Sequence, residues 1–369
     1  MNPQDKQPSL AERLRERIAR EGAITFHDWM AAALYDERCG YYCRADAAPW
    51  GRAGDYRTSP ERSPLFAATC ARYFATLHEE LGSPARWTIF EAGAGAGDYA
   101  RGVLETLARD HARVFHATHY VIDEVGEAAR ASIQAKLLPF AGRVEFHRLR
   151  DLDKPPGVGV VFSNELVDAF PVHRVLWNGG RLRELCVGLN ASGGFAWVER
   201  EPSTPRLAAH FARLGVNLSE GQRAEVNLAA DEWAAQSAAL ITRGFVITVD
   251  YGAMAETLYD AKIRPDGTLR AFRAHSLSDD LLASPGEQDL TATVNWTQLA
   301  RAGVDAGLET VLLERQDKFL LRAGVLEALE GMTVRADGEA ERARLSVAAR
   351  EMILPGGMSE SFQVLVQKK

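Results

Sequence analysis

Cysteine is scarce in this chain. The four thiols, Cys39, Cys43, Cys70 and Cys186, among 369 residues exclude a disulfide framework. Cys39 and Cys43 resemble half of a metal site, but no Cys/His pair with zinc-like spacing follows, so no metal is expected. Long apolar runs are missing too. None approaches the roughly 20 residues that span a bilayer, so no stable membrane insertion is expected. The first ten residues lack the basic-then-apolar pattern of a secretion signal. Glu12, Glu16 and Glu21 come too early for an Arg-rich, acid-poor import leader, and a cytoplasmic location is expected. Positive charge is not in excess. The net charge of −7 argues against a broad nucleic-acid surface, so no nucleic-acid partner is expected. The chain also lacks a Gly-x-Ser-x-Gly elbow and a Walker loop, which removes the usual signs of a covalent nucleophile or of phosphoryl transfer.

What is present is a glycine loop. Ile89-Phe90-Glu91-Ala92-Gly93-Ala94-Gly95-Ala96-Gly97-Asp98 sets a short apolar run before three glycines at alternate positions. A helix-like segment follows. Glycines let backbone approach a ligand, and a helix start offers free N–H groups to a carboxylate or phosphate. A dinucleotide fingerprint would place its third glycine where this chain has Asp98. Glu91, two residues before the first glycine, suits a cationic ligand better than a pyrophosphate. S-adenosylmethionine, with its ammonium and sulfonium, fits that charge logic.

From Trp87 onward strands and helices alternate. Strands are expected over 88–91, 119–123, 143–147 and 158–163, with a fifth over 245–250. Helices are expected over 98–109, 127–138 and 231–242. That rhythm means an α/β fold with a parallel sheet covered on both faces. Spacings of four among Leu10, Leu14 and Ile18, then Phe26, Met30 and Leu34 after the N-cap candidate Thr25, predict helix over most of 9–35. Helix returns from Pro64 to Leu81. Asn178-Gly179-Gly180 marks a hairpin between 172–177 and 182–187. Helices over 318–329 and 339–352 lie between two late edge strands, 311–314 and 361–366, whereas 251–295 reads as loop. The domain reading is an N-terminal helical and loop region over 1–85, a first core part over 86–171, an inserted β-rich element over 172–230, and a second core part over 231–369.

Several positions carry chemistry. Asp123 ends the second strand, where an acid accepts both hydroxyls of a ribose or caps the next helix; Glu124 beside it is the other choice. Asn164, Glu165 and Asp168 follow the fourth strand, where methyl donor and acceptor meet in this architecture. The two carboxylates suit a guanidinium clamp, or they are acids at a helix start. The turn-rich run 51–64 brings Asp55, Thr58, Ser59 and Glu61 forward as substrate-side candidates, and His275 stands in a similar segment that continues to Ala292. Both segments have the composition of a lid.

Taken together, these segments resemble the MidA family of S-adenosylmethionine-dependent methyltransferases. The resemblance rests on Gly40-Tyr41-Tyr42, Gly54-Asp55-Tyr56, Thr58-Ser59-Pro60-Glu61 and Ser63-Pro64-Leu65-Phe66, then on Asn164-Glu165, Asp168-Ala169 and Pro171-Val172-His173. Asp250-Tyr251-Gly252 and Pro285-Gly286 with Asp289-Leu290-Thr291-Ala292 complete it. It implies a class I, Rossmann-like methyltransferase with a seven-stranded sheet, an N-terminal helical part and a β-rich insertion. It also implies S-adenosylmethionine as cofactor and a protein arginine as acceptor, on a subunit of respiratory complex I, giving symmetric dimethylarginine. On that reading Glu91, Gly93, Gly95, Gly97 and Asp123 bind the cofactor, and Asn164, Glu165 and Asp168 serve catalysis. Ala94 and Ala96 stand where the family carries proline and arginine; Arg62 and Asn295 also depart from its pattern. The rival readings are a small-molecule methyltransferase on the same core and a non-catalytic assembly factor.

Overall fold

The computed structural model describes residues 8–44, 63–151, 157–273, 276–354 and 361–369. They form two compact units. One draws on 50–167, 232–252 and 299–369, the other on 1–49, 168–231 and 253–298.

The first unit is built on a large sheet. Its strands are β1 (Trp87–Ala92), β2 (Thr118–Asp123), β3 (Val144–Phe146), β4 (Gly157–Asn164), β5 (Ile241–Ala253), β6 (Glu309–Arg315) and β7 (Phe362–Lys368). The hydrogen-bonded order is β3-β2-β1-β4-β5-β7-β6. Strands β1 to β5 run parallel, and β7 runs antiparallel to both β5 and β6. The sequence explains the centre. Val160, Val161 and Phe162 of β4 are buried on both faces, as a strand covered on both sides requires. The C-terminal strand corrects the sequence reading, which put it at an edge. β7 lies inside the sheet, with Val364, Leu365 and Val366 all buried, and of the two late strands β6 alone is at an edge. The expected helix over 318–329 is two helices, Gln316–Arg322 and Val325–Arg335, interrupted at Gly324 with φ +89°.

Helix Pro64–Glu80 begins at Ser63, whose hydroxyl accepts the Leu65 N–H at 3.1 Å. Its Leu65, Phe66 and Phe74 join the core with Val103 and Leu104 of helix Asp98–Asp110 and with Val160 of β4. This helix thus packs on the large sheet and belongs to the same compact unit.

The second unit holds helices Leu10–Glu21 and Phe26–Tyr35 and two small sheets. Thr25 caps the second helix as expected, accepting from the Asp28 N–H. The five-stranded sheet is made of Ile24–Thr25, His173–Asn178, Arg181–Leu189, Phe195–Arg200 and Arg223–Val226. Its central hairpin turns at Gly179-Gly180, both with positive φ, as a two-residue hairpin turn prefers. The stretch read as loop holds strands Arg270–Arg273, Ser276–Ser278 and Asp289–Thr291. It also joins this unit instead of the core: Tyr42 donates to Asp289 Oδ1 at 2.7 Å, and the Ala292 N–H donates to the Asp168 carbonyl at 2.8 Å.

Candidate methyl-donor site

Strand order reverses between β1 and β4, and ligands of such sheets bind beyond the carboxyl ends of the strands at that point. β1 ends there in the glycine loop. Gly93, Gly95 and Gly97 have φ of +70°, +55° and +78°, a region that favours glycine. A Cβ on Gly93 would lie 2.9 Å from Leu166 Cδ1, and one on Gly97 would lie 2.9 Å from Ile133 Cγ2. Gly97 is also the N-cap of helix Asp98–Asp110, which no side chain caps. Lys136 braces the loop from behind, donating to the Ala96 carbonyl at 2.7 Å and to Asp98 Oδ1 at 2.8 Å.

Two buried carboxylates flank the loop. Glu91 Oε2 accepts the Tyr120 hydroxyl at 2.7 Å. Burial pushes its carboxyl up to about 7, with Tyr120 pulling the other way and Glu124 adding to the rise. Glu124, just past the end of β2, accepts the N–H groups of Gly95 at 3.2 Å and Gly126 at 3.1 Å. Burial pushes it up to about 7 as well, against the pull of those N–H groups. Asp123 is turned to other work. The Leu149 N–H donates to its Oδ2 at 3.1 Å, and the Arg148 guanidinium lies 3.1 Å from its Oδ1.

The turn after β4 sits beside the glycine loop, because Leu166 is the residue that Gly93 leaves room for. Glu165 has φ +51°, rare for a residue with a side chain. Its N–H donates to the Val249 carbonyl at 2.9 Å, and its Oε1 accepts the Asn164 side-chain amide at 3.0 Å. Buried Asp250 fastens the turn, its Oδ2 accepting the Val167 N–H at 3.0 Å and its Oδ1 the Tyr251 N–H at 2.9 Å. The sequence places Asp250 at the end of the fifth strand, on the same rim, but gives it no role in the site. Asp168 opens the second unit and is buried there. Asp55, Thr58, Ser59, Glu61 and His275 lie outside the described residues. Among those that are described, no group of three or more His, Cys, Asp or Glu is placed to hold a metal.

The donor set fits a cationic nucleoside: an open glycine cradle, an uncapped helix start and two carboxylic acids held in low dielectric, where a positive partner is worth most. Comparison with known proteins agrees. Residues 69–313 match the family model described as "Putative S-adenosyl-L-methionine-dependent methyltransferase". The chain belongs to this family. A Burkholderia thailandensis crystal structure bound to S-adenosyl-homocysteine is 31% identical, with a TM-score of 0.86, covering 98% of this chain and 92% of that one. The Drosophila melanogaster "Protein arginine methyltransferase NDUFAF7 homolog, mitochondrial" is 29% identical, covering 78% of this chain and 68% of the relative. The Homo sapiens "Protein arginine methyltransferase NDUFAF7, mitochondrial" is 26% identical, covering 96% and 82%. The MidA resemblance, the methyltransferase activity and S-adenosylmethionine as cofactor are thus borne out. The expected cytoplasmic location is not. These curated relatives are named as mitochondrial, which overturns it. No helix among the described residues is long and apolar enough to cross a membrane.

Proposed function

We propose that this methyltransferase modifies an arginine side chain of a protein, and that Glu165 receives the guanidinium. The observation that carries the reading is the conformation of Glu165. A non-glycine residue in left-handed backbone stores strain, which persists where the surroundings demand it and clusters at active sites. Here Asp250 and the β5 ladder impose it, next to the glycine loop. The names of the curated relatives support arginine as the acceptor. Bound S-adenosylmethionine supplies an electrophilic methyl group. The Glu165 carboxylate accepts N–H donation from the guanidinium, orients its nitrogen, and takes the proton that the substituted nitrogen releases. Asn164 holds that carboxylate in place. Asp168, expected to assist, is assigned no role in this reading.

For the donor, Gly93, Gly95 and Gly97 shape the cradle and Glu91 faces the amino-acid end. The ribose hydroxyls fall to Glu124 instead of Asp123, since Glu124 already reaches the loop through Gly95 and Asp123 is engaged by Arg148 and Leu149. The acceptor implied by the family resemblance, a respiratory complex I subunit, is the first to try. The test is methyl transfer from labelled donor to that subunit, with mass spectrometry to place the mark. Glu165→Gln should bind S-adenosylhomocysteine as the wild type does and transfer nothing. Equal turnover would remove Glu165 from the mechanism, and a mark on another residue type would remove arginine.

A further inference from the structure

Tyr120 is fully buried on β2, with its hydroxyl 2.7 Å from Glu91 Oε2. The register pairs Tyr120 with Ile89, so Glu91 is its diagonal neighbour on the same face of the sheet. Buried tyrosine hydroxyls find a polar partner, and this one has found a carboxyl group near the end of β1, just before the donor loop. The surroundings are tightly packed. Tyr99 of helix Asp98–Asp110 stacks on Phe162 with ring centres 4.4 Å apart, and buried Cys70 of helix Pro64–Glu80 lies in the same cluster. The titratable groups facing Glu91 are thus Tyr120, Tyr99 and Glu124, with Cys70 behind the two tyrosines.

We propose that Tyr120 is a positioning residue for donor binding: its hydroxyl fixes one oxygen of the Glu91 carboxylate in the core and leaves the other to meet the ammonium of the donor's amino-acid end. This rests on the reading that Glu91 faces that end. The hydroxyl has a second effect. Burial and Glu124 favour the neutral acid at Glu91, and the Tyr120 hydrogen bond favours the carboxylate. A cationic group binds the carboxylate better, so donor affinity rises as the pH climbs through about 7. Without the hydroxyl Glu91 ionises at higher pH, and the rise moves up with it.

The test is calorimetric titration of the full chain with S-adenosylhomocysteine from about pH 6 to about pH 8.5, for wild type, Tyr120→Phe and Glu91→Gln. Tyr120→Phe should bind about fivefold or more weakly near neutral pH, with the loss largely recovered at the alkaline end, since one hydrogen bond to a charged group is at stake. A purely structural tyrosine would weaken binding equally at every pH, and that result overturns the inference. So does a Tyr120→Phe profile that superimposes on wild type while Glu91→Gln is impaired. Wild-type affinity in Glu91→Gln instead overturns the parent reading of Glu91.

Discussion

The Gly95 N–H donates to the buried carboxylate of Glu124 at 3.2 Å, which fastens an acid from beyond β2 to the middle of the glycine loop. Asp123, one residue earlier, is held by Leu149 and Arg148. The two neighbours should therefore separate in a binding experiment. Glu124→Ala should weaken S-adenosylhomocysteine by about tenfold or more, the worth of one or two hydrogen bonds to a charged group. Asp123→Ala should lower the melting temperature and leave affinity within about twofold. Calorimetry on both variants decides. The reverse ranking would return the ribose to Asp123.

Gly97→Ala should cost stability before it costs chemistry. Its φ of +78° penalises any Cβ by roughly 1–2 kcal/mol. The added carbon would also meet Ile133 Cγ2 at 2.9 Å, so helix Glu127–Lys136 must give way. A melting midpoint lower by several degrees is the expected readout. An unchanged melt would mean that the loop relaxes freely and is no cradle.

The glycine loop, the strand–helix alternation and the hairpin at Gly179-Gly180 were legible because each is local: a backbone demand written in a short stretch. The inner place of β7 was not. Val364, Leu365 and Val366 read as any apolar strand, and only pairing with β5 and β6 shows which neighbours they acquire. The choice between Asp123 and Glu124 was equally closed, because adjacent residues at a strand end face opposite ways and the sequence does not say which faces the loop. Asp250 was visible only as a strand end, because its bond to Val167 spans 83 residues. The division into units was hidden for the same reason: Ala253–Gln298 joins the inserted sheet through long-range bonds such as Gln298 to the Asn227 carbonyl.

The acids Glu91 and Glu124 also predict a pH dependence of stability. Both are raised from 4.5 to about 7 in the folded chain. Between those values the folded state holds protons that the unfolded state has released, so stability falls as pH rises. The benefit of the neutral acids is full below about 4.5 and lost through about 7. For the pair it is on the order of a few kcal/mol. In the ligand-free protein, Glu91→Gln should flatten the decline in melting temperature between about pH 5 and pH 8. A wild-type slope in that variant would show that Glu91 ionises normally.

Glu165 offers the sharpest separation of stability from activity. With φ at +51°, any side chain there is strained, while glycine is not. Glu165→Gly and Glu165→Ala both delete the carboxylate and its bond from Asn164, so the difference between them isolates the backbone. Glycine should be the more stable of the two by about 1 kcal/mol, the reverse of the usual order. In a chain of this size that is a shift of roughly 1–2 °C. Both should bind S-adenosylhomocysteine and neither should transfer a methyl group. A melt in which alanine outlasts glycine would mean that the turn after β4 relaxes to an ordinary conformation, and the strained presentation of Glu165 would lose its support.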